Sequence, residues 1–166
     1  MSGGDLAVQN GKEFQDALAN WMAEISLTTV SPRGTQMPII PYEGDPLVLL
    51  EAGGSRGSRP DIWFFDPWAF RHGLMIETKY QGVSGTADQK LIWAALSLTD
   101  NSEMYPNATP RVIVGGEWWE PGKGGNNVMQ RVQHWVTKYN IPVQVKPAKD
   151  FCIWFRNTLQ TKGAPV

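Results

Sequence analysis

Two acids and a lysine are the residues of this sequence whose types and spacing are best suited to chemistry. Glu77, Thr78 and Lys79 follow the apolar run 74–76, and Asp61 follows Pro60, with fifteen residues between Asp61 and Glu77. Side chains alternate between the faces of a strand, so Glu77 and Lys79 share one face while Thr78 points to the other. A charge beside a core costs free energy unless it is paired or coordinates a metal.

The two carboxylates predict a site for a hard cation. If the segments 61–66 and 73–81 pair as a hairpin, Asp61 comes near Glu77, and adjacent carboxylates repel each other unless a divalent cation lies between them. Cys152 is the only cysteine and the two histidines are far apart in sequence, so a metal needs oxygen ligands. The alternative is a structural salt bridge across the hairpin.

Alternating helices and strands are predicted to position these residues. Apolar residues at steps of three and four predict a helix over 10–27, and Thr86 with Gln89 forms a capping box for a second helix. Further strands are predicted at 38–40, 47–50, 111–115 and 143–145, and further helices after Asn126 or Asn127 and from Phe151. The pattern predicts a single α/β domain with a mixed central sheet flanked by helices.

The pattern Pro60-Asp61 followed by Glu77-Thr78-Lys79 resembles the core motif of the PD-(D/E)XK nuclease superfamily. The run 77–90 is also similar to restriction-type and phage-type members. The resemblance covers residues 10–115 and leaves the C-terminal third unassigned. It implies a restriction-endonuclease-like α/β fold over residues 1–166, with frayed ends at 1–9 and 161–166.

The resemblance also implies a metal-dependent DNA endonuclease that hydrolyses phosphodiester bonds. Asp61 and Glu77 would bind Mg²⁺ with the Thr78 carbonyl as a further ligand, and Mn²⁺ is expected to substitute. Lys79 would orient or activate the attacking water and meet the charge that develops on the phosphate. Other interpretations are a junction resolvase, a homing or repair nuclease of the same fold, or a catalytically idle nucleic-acid-binding or protein-interaction domain.

Two further groups of residues are candidates for the site and for DNA contacts. Many family members carry a glutamate four residues after a glycine on the first helix; here Gly11 leads to Gln15, and the nearby acid is Glu13. The candidate DNA contacts, each of which could instead be a solvated loop or helix start, are Arg56, Arg59, Gln81, Gln89 and Lys90.

Composition and charge limit the other possibilities. The chain has 166 residues, of which 42% are hydrophobic, and no apolar run is long enough to cross a membrane. The first residues also lack the pattern of a secretory signal, so we expect a cytoplasmic protein with no membrane partner, and the resemblance implies DNA as its partner. Lysines and arginines number 2 against 7 acids in residues 1–55 and 8 against 3 in residues 111–166, which favours a polyanion on one side.

The tryptophans divide into two groups. Trp21, Trp93 and Trp135 lie on or beside apolar helix stripes and are predicted to be core residues. Trp118 and Trp119 lie in a glycine-rich segment, 116–125, that is predicted to be an exposed loop, where the two aromatic side chains could pack on a partner or stack on a base. One active site of this family is expected to cut one strand, so a double-strand break requires two active sites. We therefore expect a homodimer or higher even oligomer with the loop 116–125 at the contact between subunits.

Overall fold

The computed structural model describes residues 10–26, 30–32, 60–66, 69–83 and 85–161. Five strands form one sheet: β1 (Val30–Pro32), β2 (Ile62–Asp66), β3 (Phe70–Tyr80), β4 (Thr109–Gly115) and β5 (Gln144–Pro147). The helices are α1 (Gly11–Ser26), α2 (Ala87–Met104), α3 (Gly124–Lys138) and α4 (Ala148–Gln160), with a 3₁₀ turn at Glu117–Trp119. The strand order is β1-β2-β3-β4-β5; β1, β2 and β3 pair antiparallel, and β3, β4 and β5 pair parallel. The predicted mixed sheet is confirmed.

The alternating side chains of β3 divide the core into two layers. Leu74 and Ile76 are fully buried on one face, in a cluster with residues of α1 and α4. Met75 is fully buried on the other face, with residues of α2 and α3. Helices therefore cover both faces of the sheet, and β3 is held rigidly along its length before it reaches its polar C-terminal end.

The apolar stripe of α1 is confirmed, but one residue of α2 lies elsewhere than predicted. The buried side chains of α2 are those of Leu91, Ala94, Ala95 and Leu98. Trp93 is 69% exposed, so its assignment to the core was wrong. A helix turns about 100° per residue, which places Trp93 on the face opposite the stripe.

The two tryptophans of the segment 116–125 are folded against the rest of the protein, while residues 117 and 120–123 are exposed. Gly116 has φ of 103°, and a Cβ at this position would overlap the carbonyl of Gln81, which accepts a hydrogen bond from the Trp118 N–H at 3.2 Å. The Trp118 indole lies where a Cβ on Gly124 or Gly125 would collide with it. Only glycine permits this approach.

The prediction of an exposed tryptophan pair was therefore wrong. Trp119 is only 2% exposed and belongs to the core cluster, and Trp118 is half-buried. The prediction that Asn126 or Asn127 caps α3 was also wrong, because the helix begins at Gly124. The Asn126 side-chain amide instead donates to the Trp119 carbonyl at 3.0 Å and holds the turn against the helix.

Several predicted features lie outside the described residues. They are the strands at 38–40 and 47–50, the basic loop 53–59, and residues 1–9 and 162–166. Among the helices that the structure does describe, none combines the length and the apolar character required to span a bilayer.

Candidate active site

The antiparallel pairing of β2 with β3 brings the two predicted carboxylates together. Ile62 pairs with Ile76, so Asp61, which immediately precedes β2, lies across from Glu77. The hairpin register that the cation site required is confirmed. The side chains of Glu77 and Lys79 are 16% and 21% exposed, so this site is open to solvent at one edge and largely enclosed elsewhere.

Thr78 fixes the orientation of the Asp61 carboxylate. Its backbone N–H donates to Asp61 Oδ2 at 2.7 Å, and its hydroxyl donates to the same oxygen at 2.8 Å. Within the part of the chain that the structure describes, the other oxygen, Oδ1, accepts no hydrogen bond. One oxygen of Asp61 is thus used to hold the side chain, and the second is left for another partner.

Lys79 lies directly on the candidate metal ligands. Its ammonium donates to Glu77 Oε1 at 2.8 Å and to the Thr78 carbonyl oxygen at 3.0 Å. The spacing of two residues on a strand places Glu77 and Lys79 on one face, which makes this short contact possible. The ammonium therefore places a positive charge at this site and is hydrogen-bonded to oxygens of two of the three predicted metal ligands, Glu77 and Thr78.

The local electrostatics favour a cation. Burial raises the pKa of Glu77, the negative charge of Asp61 raises it further, and Lys79 opposes both effects. Burial is the largest of these effects, so the enclosed site disfavours the charged form of Glu77 despite the neighbouring ammonium. No cluster of three or more His, Cys, Asp or Glu side chains occurs among the described residues, and the oxygen donors gathered here are Asp61, Glu77 and the Thr78 carbonyl. These oxygen donors fit Mg²⁺ or Mn²⁺.

The two helix-one candidates occupy different positions. Gln15 is buried, and its side-chain amide donates to the Asp61 carbonyl at 3.3 Å, so α1 is tied to the backbone of a candidate ligand. Glu13 is exposed in the first turn of α1, where its backbone N–H donates to the Asn10 side chain at 3.0 Å. Gln15 therefore borders the site.

The predicted DNA contacts are only partly described. Gln89 and Lys90 are exposed in the first turn of α2. Gln81 is half-buried. Its backbone N–H donates to the Gly115 carbonyl at the end of β4 at 2.9 Å, and its carbonyl accepts a hydrogen bond from the Trp118 N–H in the following 3₁₀ turn. Arg56 and Arg59 lie outside the described residues.

Sequence reasoning missed the role of the Thr78 side chain. Strand alternation predicts that Thr78 points away from Glu77 and Lys79, and the sequence signalled only its carbonyl as a ligand. Asp61 lies just before the first residue of β2, so its side chain is not held to the alternation of the strand and reaches the Thr78 hydroxyl. A threonine directly after the acid is the only signal that the sequence offered.

Comparison with known families agrees with this geometry. The model of the PD-(D/E)XK nuclease superfamily domain matches residues 56–150, which is more than half of the chain. The chain belongs to the PD-(D/E)XK nuclease superfamily. The match continues through β5 to the first turn of α4, so this PD-(D/E)XK domain includes a large part of the C-terminal third that the sequence motifs left unassigned. No curated protein and no solved structure matches the chain.

Membership in the PD-(D/E)XK superfamily indicates a nuclease. The reaction of the superfamily is phosphodiester hydrolysis, its substrates are nucleic acids, and its members generally use divalent metal ions. Asp61, Glu77 and Lys79 of this chain match the residue types of the motif that names the superfamily.

Proposed function

We propose that this PD-(D/E)XK protein is a Mg²⁺-dependent DNA endonuclease that cuts phosphodiester bonds by direct attack of water. The observation that supports the proposal most is the meeting of Asp61 and Glu77 from adjacent strands, with the Lys79 ammonium 2.8 Å from Glu77 Oε1. A structural salt bridge would need only one acid. Burial raises the pKa of Glu77 and the charge of Asp61 raises it further, which is a cost that a cation-binding role explains.

Each residue of the site has a distinct task in this proposal. Asp61 and Glu77 hold the ion together with the Thr78 carbonyl, and the Thr78 hydroxyl keeps Asp61 in place. A bound divalent ion supplies positive charge against the phosphate and acidifies the attacking water. Lys79 donates to the water or to a phosphate oxygen and meets the negative charge that develops during attack. Gln15 is a positioning residue, because it contacts only the Asp61 backbone there.

DNA contacts at the rim of the site are part of the proposal. Gln89 and Lys90 are exposed at the start of α2, shortly after the strand that carries Lys79, and are suited to bind phosphate or sugar. Gln81 is the candidate on the strand end itself. Charge reversal of Arg56 and Arg59 is expected to weaken binding and to reduce the slope of log affinity against log salt concentration by about one for each arginine that binds a phosphate. An unchanged slope would remove both arginines from the interface.

A homodimer or higher even oligomer also remains a proposal, because two cuts require two sites. Its predicted contact at Trp118–Trp119 loses its basis, since Trp119 is buried in the core. Sedimentation with and without DNA tests the oligomeric state directly. A monomer under both conditions would contradict the proposal and favour single-strand nicking. The cytoplasmic location likewise rests on the sequence alone.

The deciding experiment is cleavage of supercoiled plasmid, linear duplex and four-way junction DNA in Mg²⁺, Mn²⁺, Ca²⁺ and EDTA. We expect cleavage in Mg²⁺ and Mn²⁺, binding with little cleavage in Ca²⁺, and no cleavage in EDTA. Asp61→Ala, Glu77→Ala and Lys79→Ala should each abolish cleavage and keep the native circular dichroism spectrum. The controls Glu24→Gln and Lys138→Met change exposed residues outside the site and should retain activity.

The pattern of substrates separates the remaining alternatives. Cleavage restricted to four-way junctions would identify a resolvase. Binding of DNA without cleavage in any metal would identify a catalytically idle domain. Full activity in any one of the three alanine variants would refute the assignment of that residue to catalysis.

A further inference from the structure

A cavity beside the candidate active site has the composition of a ligand site and no role in the hydrolysis described above. It has a volume of about 820 Å³ and lies at the carboxyl ends of the three parallel strands, where Tyr80, Gly115 and Pro147 line it. Ligands of open α/β sheets commonly bind outside the carboxyl ends of the strands. We propose that this cavity binds one unpaired nucleobase of the substrate strand, next to the bond that is cut. The inference rests on the proposed nuclease function.

The cavity adjoins the catalytic residues through two of its walls. Tyr80 follows Lys79 at the C-terminal end of β3, where one strand residue advances about 3.3 Å, although the two side chains leave the strand on opposite faces. Phe14 precedes Gln15, which donates to the Asp61 carbonyl, and the rings of Phe14 and Tyr80 are 5.9 Å apart. The cavity thus begins at the strand end that carries Lys79, and a nucleotide adjacent to the one attacked would reach it around that end.

The size of the cavity selects an unpaired base. A volume of about 820 Å³ falls within the range of about 300–1,000 Å³ that is usual for sites of small ligands. One nucleotide fits such a space, whereas a paired duplex remains outside it. A base that enters must be unpaired already or must leave the stack, and unpairing costs least at a mismatch, a bulge or a single strand.

The lining suits a base better than a polyphosphate. Tyr80 is half-buried and lines the cavity together with the buried apolar residues Phe14 and Met129. Three exposed acids and two lysines complete the lining: Glu117, Glu120, Asp150, Lys146 and Lys149. The excess of acids disfavours a ligand that carries several negative charges.

The acids also suggest which bases are preferred. Carboxylates accept hydrogen bonds from exocyclic amines such as the N4 amine of cytosine. Thymine has no exocyclic amine. The cavity should therefore prefer cytosine, adenine or guanine over thymine, while the two lysines can each meet a single backbone phosphate.

The test compares duplexes that carry one unpaired central nucleotide with the fully paired duplex. The unpaired position is cytosine, adenine, thymine or an abasic site, and initial cleavage rates are measured in Mg²⁺. We expect unpaired cytosine or adenine to raise the rate by about tenfold or more over the paired duplex, and thymine or an abasic site to raise it less. A 2-aminopurine at the same position should lose fluorescence on binding in Ca²⁺, because it stacks on Tyr80.

Variants of the cavity identify the residues that are responsible. Tyr80→Leu keeps apolar packing against Phe14 and removes the stacking face, so the preference for the unpaired base should fall at least about fivefold. Glu117→Gln combined with Glu120→Gln, both at exposed positions, should remove the preference for cytosine over thymine. The matched controls Tyr139→Leu and Glu24→Gln lie outside the cavity and should keep both preferences.

The outcomes separate this inference from the proposed function. Two results would overturn the cavity assignment and leave the proposed nuclease function unaffected. One is equal cleavage of paired and unpaired duplexes by the wild-type protein. The other is an unchanged preference in both the Tyr80 variant and the double glutamate variant. Absence of cleavage of every substrate by the wild-type protein would instead refute the proposed function, and the cavity assignment with it. Because each preference is a ratio of two rates for one variant, a general loss of activity does not imitate the expected result.

Discussion

Replacement of Lys79 by methionine should strengthen the binding of divalent ions while it abolishes cleavage. The ammonium contacts Glu77 Oε1 at 2.8 Å and the Thr78 carbonyl at 3.0 Å, and both oxygens are candidate ligands. An ion can use these oxygens only after the ammonium has moved away. Lys79 is thus expected to oppose metal binding even though it is needed for the reaction.

The magnitude follows from the exposure of the ion pair. Hydrogen bonds to charged groups contribute about 1.5–3 kcal/mol, and exposed ion pairs contribute about 0–1 kcal/mol. The side chains are 21% and 16% exposed, which places the pair between these limits, at about 1–2 kcal/mol. Since about 1.4 kcal/mol corresponds to a tenfold change, Lys79→Met should bind the ion about 5- to 30-fold more tightly.

Isothermal titration of the metal-free protein with Mn²⁺ measures this affinity without any substrate. Lys138→Met, which removes an exposed lysine outside the site, should bind Mn²⁺ like the wild-type protein. Glu77→Gln should lose most of the affinity. Unchanged or weaker Mn²⁺ binding by Lys79→Met would refute the idea that the ammonium and the ion compete for the same oxygens.

Three further perturbations test the surroundings of the site. Thr78→Val removes the hydroxyl that donates to Asp61 Oδ2 at 2.8 Å, so it should lower the free energy of unfolding by about 1 kcal/mol and the cleavage rate by about tenfold. Thr78→Ser keeps the hydroxyl and should retain both properties. Equal behaviour of the two variants in urea unfolding and plasmid nicking would contradict this role. Burial and Asp61 raise the pKa of Glu77 above its ordinary value of 4.5. As the pH rises, the unfolded chain therefore releases the proton of the Glu77 carboxyl group before the folded protein does. The metal-free protein should lose stability between pH 4.5 and the higher pKa of the folded state. Glu77→Gln should remove that loss in melting curves recorded across this pH range, and a wild-type profile that matches the variant would argue against it. Gly116→Ala places a Cβ against the Gln81 carbonyl at φ of 103° and should lower the free energy of unfolding in urea by about 1–3 kcal/mol. The loss should be smaller for Gly122→Ala, because Gly122 has φ of 88° but no atom within 4 Å of the added Cβ. Equal losses would show that the contact with Gln81 is unimportant.

The local part of this protein could be predicted from its sequence. The apolar stripe of α1, the β2–β3 hairpin and the order of the later elements follow from periodicity and turn residues, which act over a few positions. The placement of Glu77 and Lys79 on one face follows from strand alternation. The opposition of Asp61 and Glu77 follows from the short connection between two antiparallel strands. These features need no knowledge of how distant segments pack.

The sequence patterns failed where distant segments decide the environment. Trp93 was assigned to the core because it adjoins the apolar stripe in sequence, although it lies on the face opposite the stripe and is 69% exposed. The glycines around Trp119 indicated a flexible loop, whereas in the fold they allow close approach to Gln81 and bury the indole. The neighbours that bury Trp119 come from other parts of the chain, whereas the exposure of Trp93 follows from the geometry of its own helix.

The completed site is likewise a product of tertiary structure. Gln15 reaches the Asp61 carbonyl across 46 residues of sequence, and no local pattern encodes that contact. The cavity beside Lys79 exists because parallel strands end together at one edge of the sheet, although their sequences are separated by whole helices. The residue types that can hydrolyse a phosphodiester are thus determined by the sequence alone. The contact of Gln15 with the backbone of Asp61, the burial that raises the pKa of Glu77 and the space at the strand ends are decided by the packing of α1, β4 and β5 around β3, because only packing brings remote groups together.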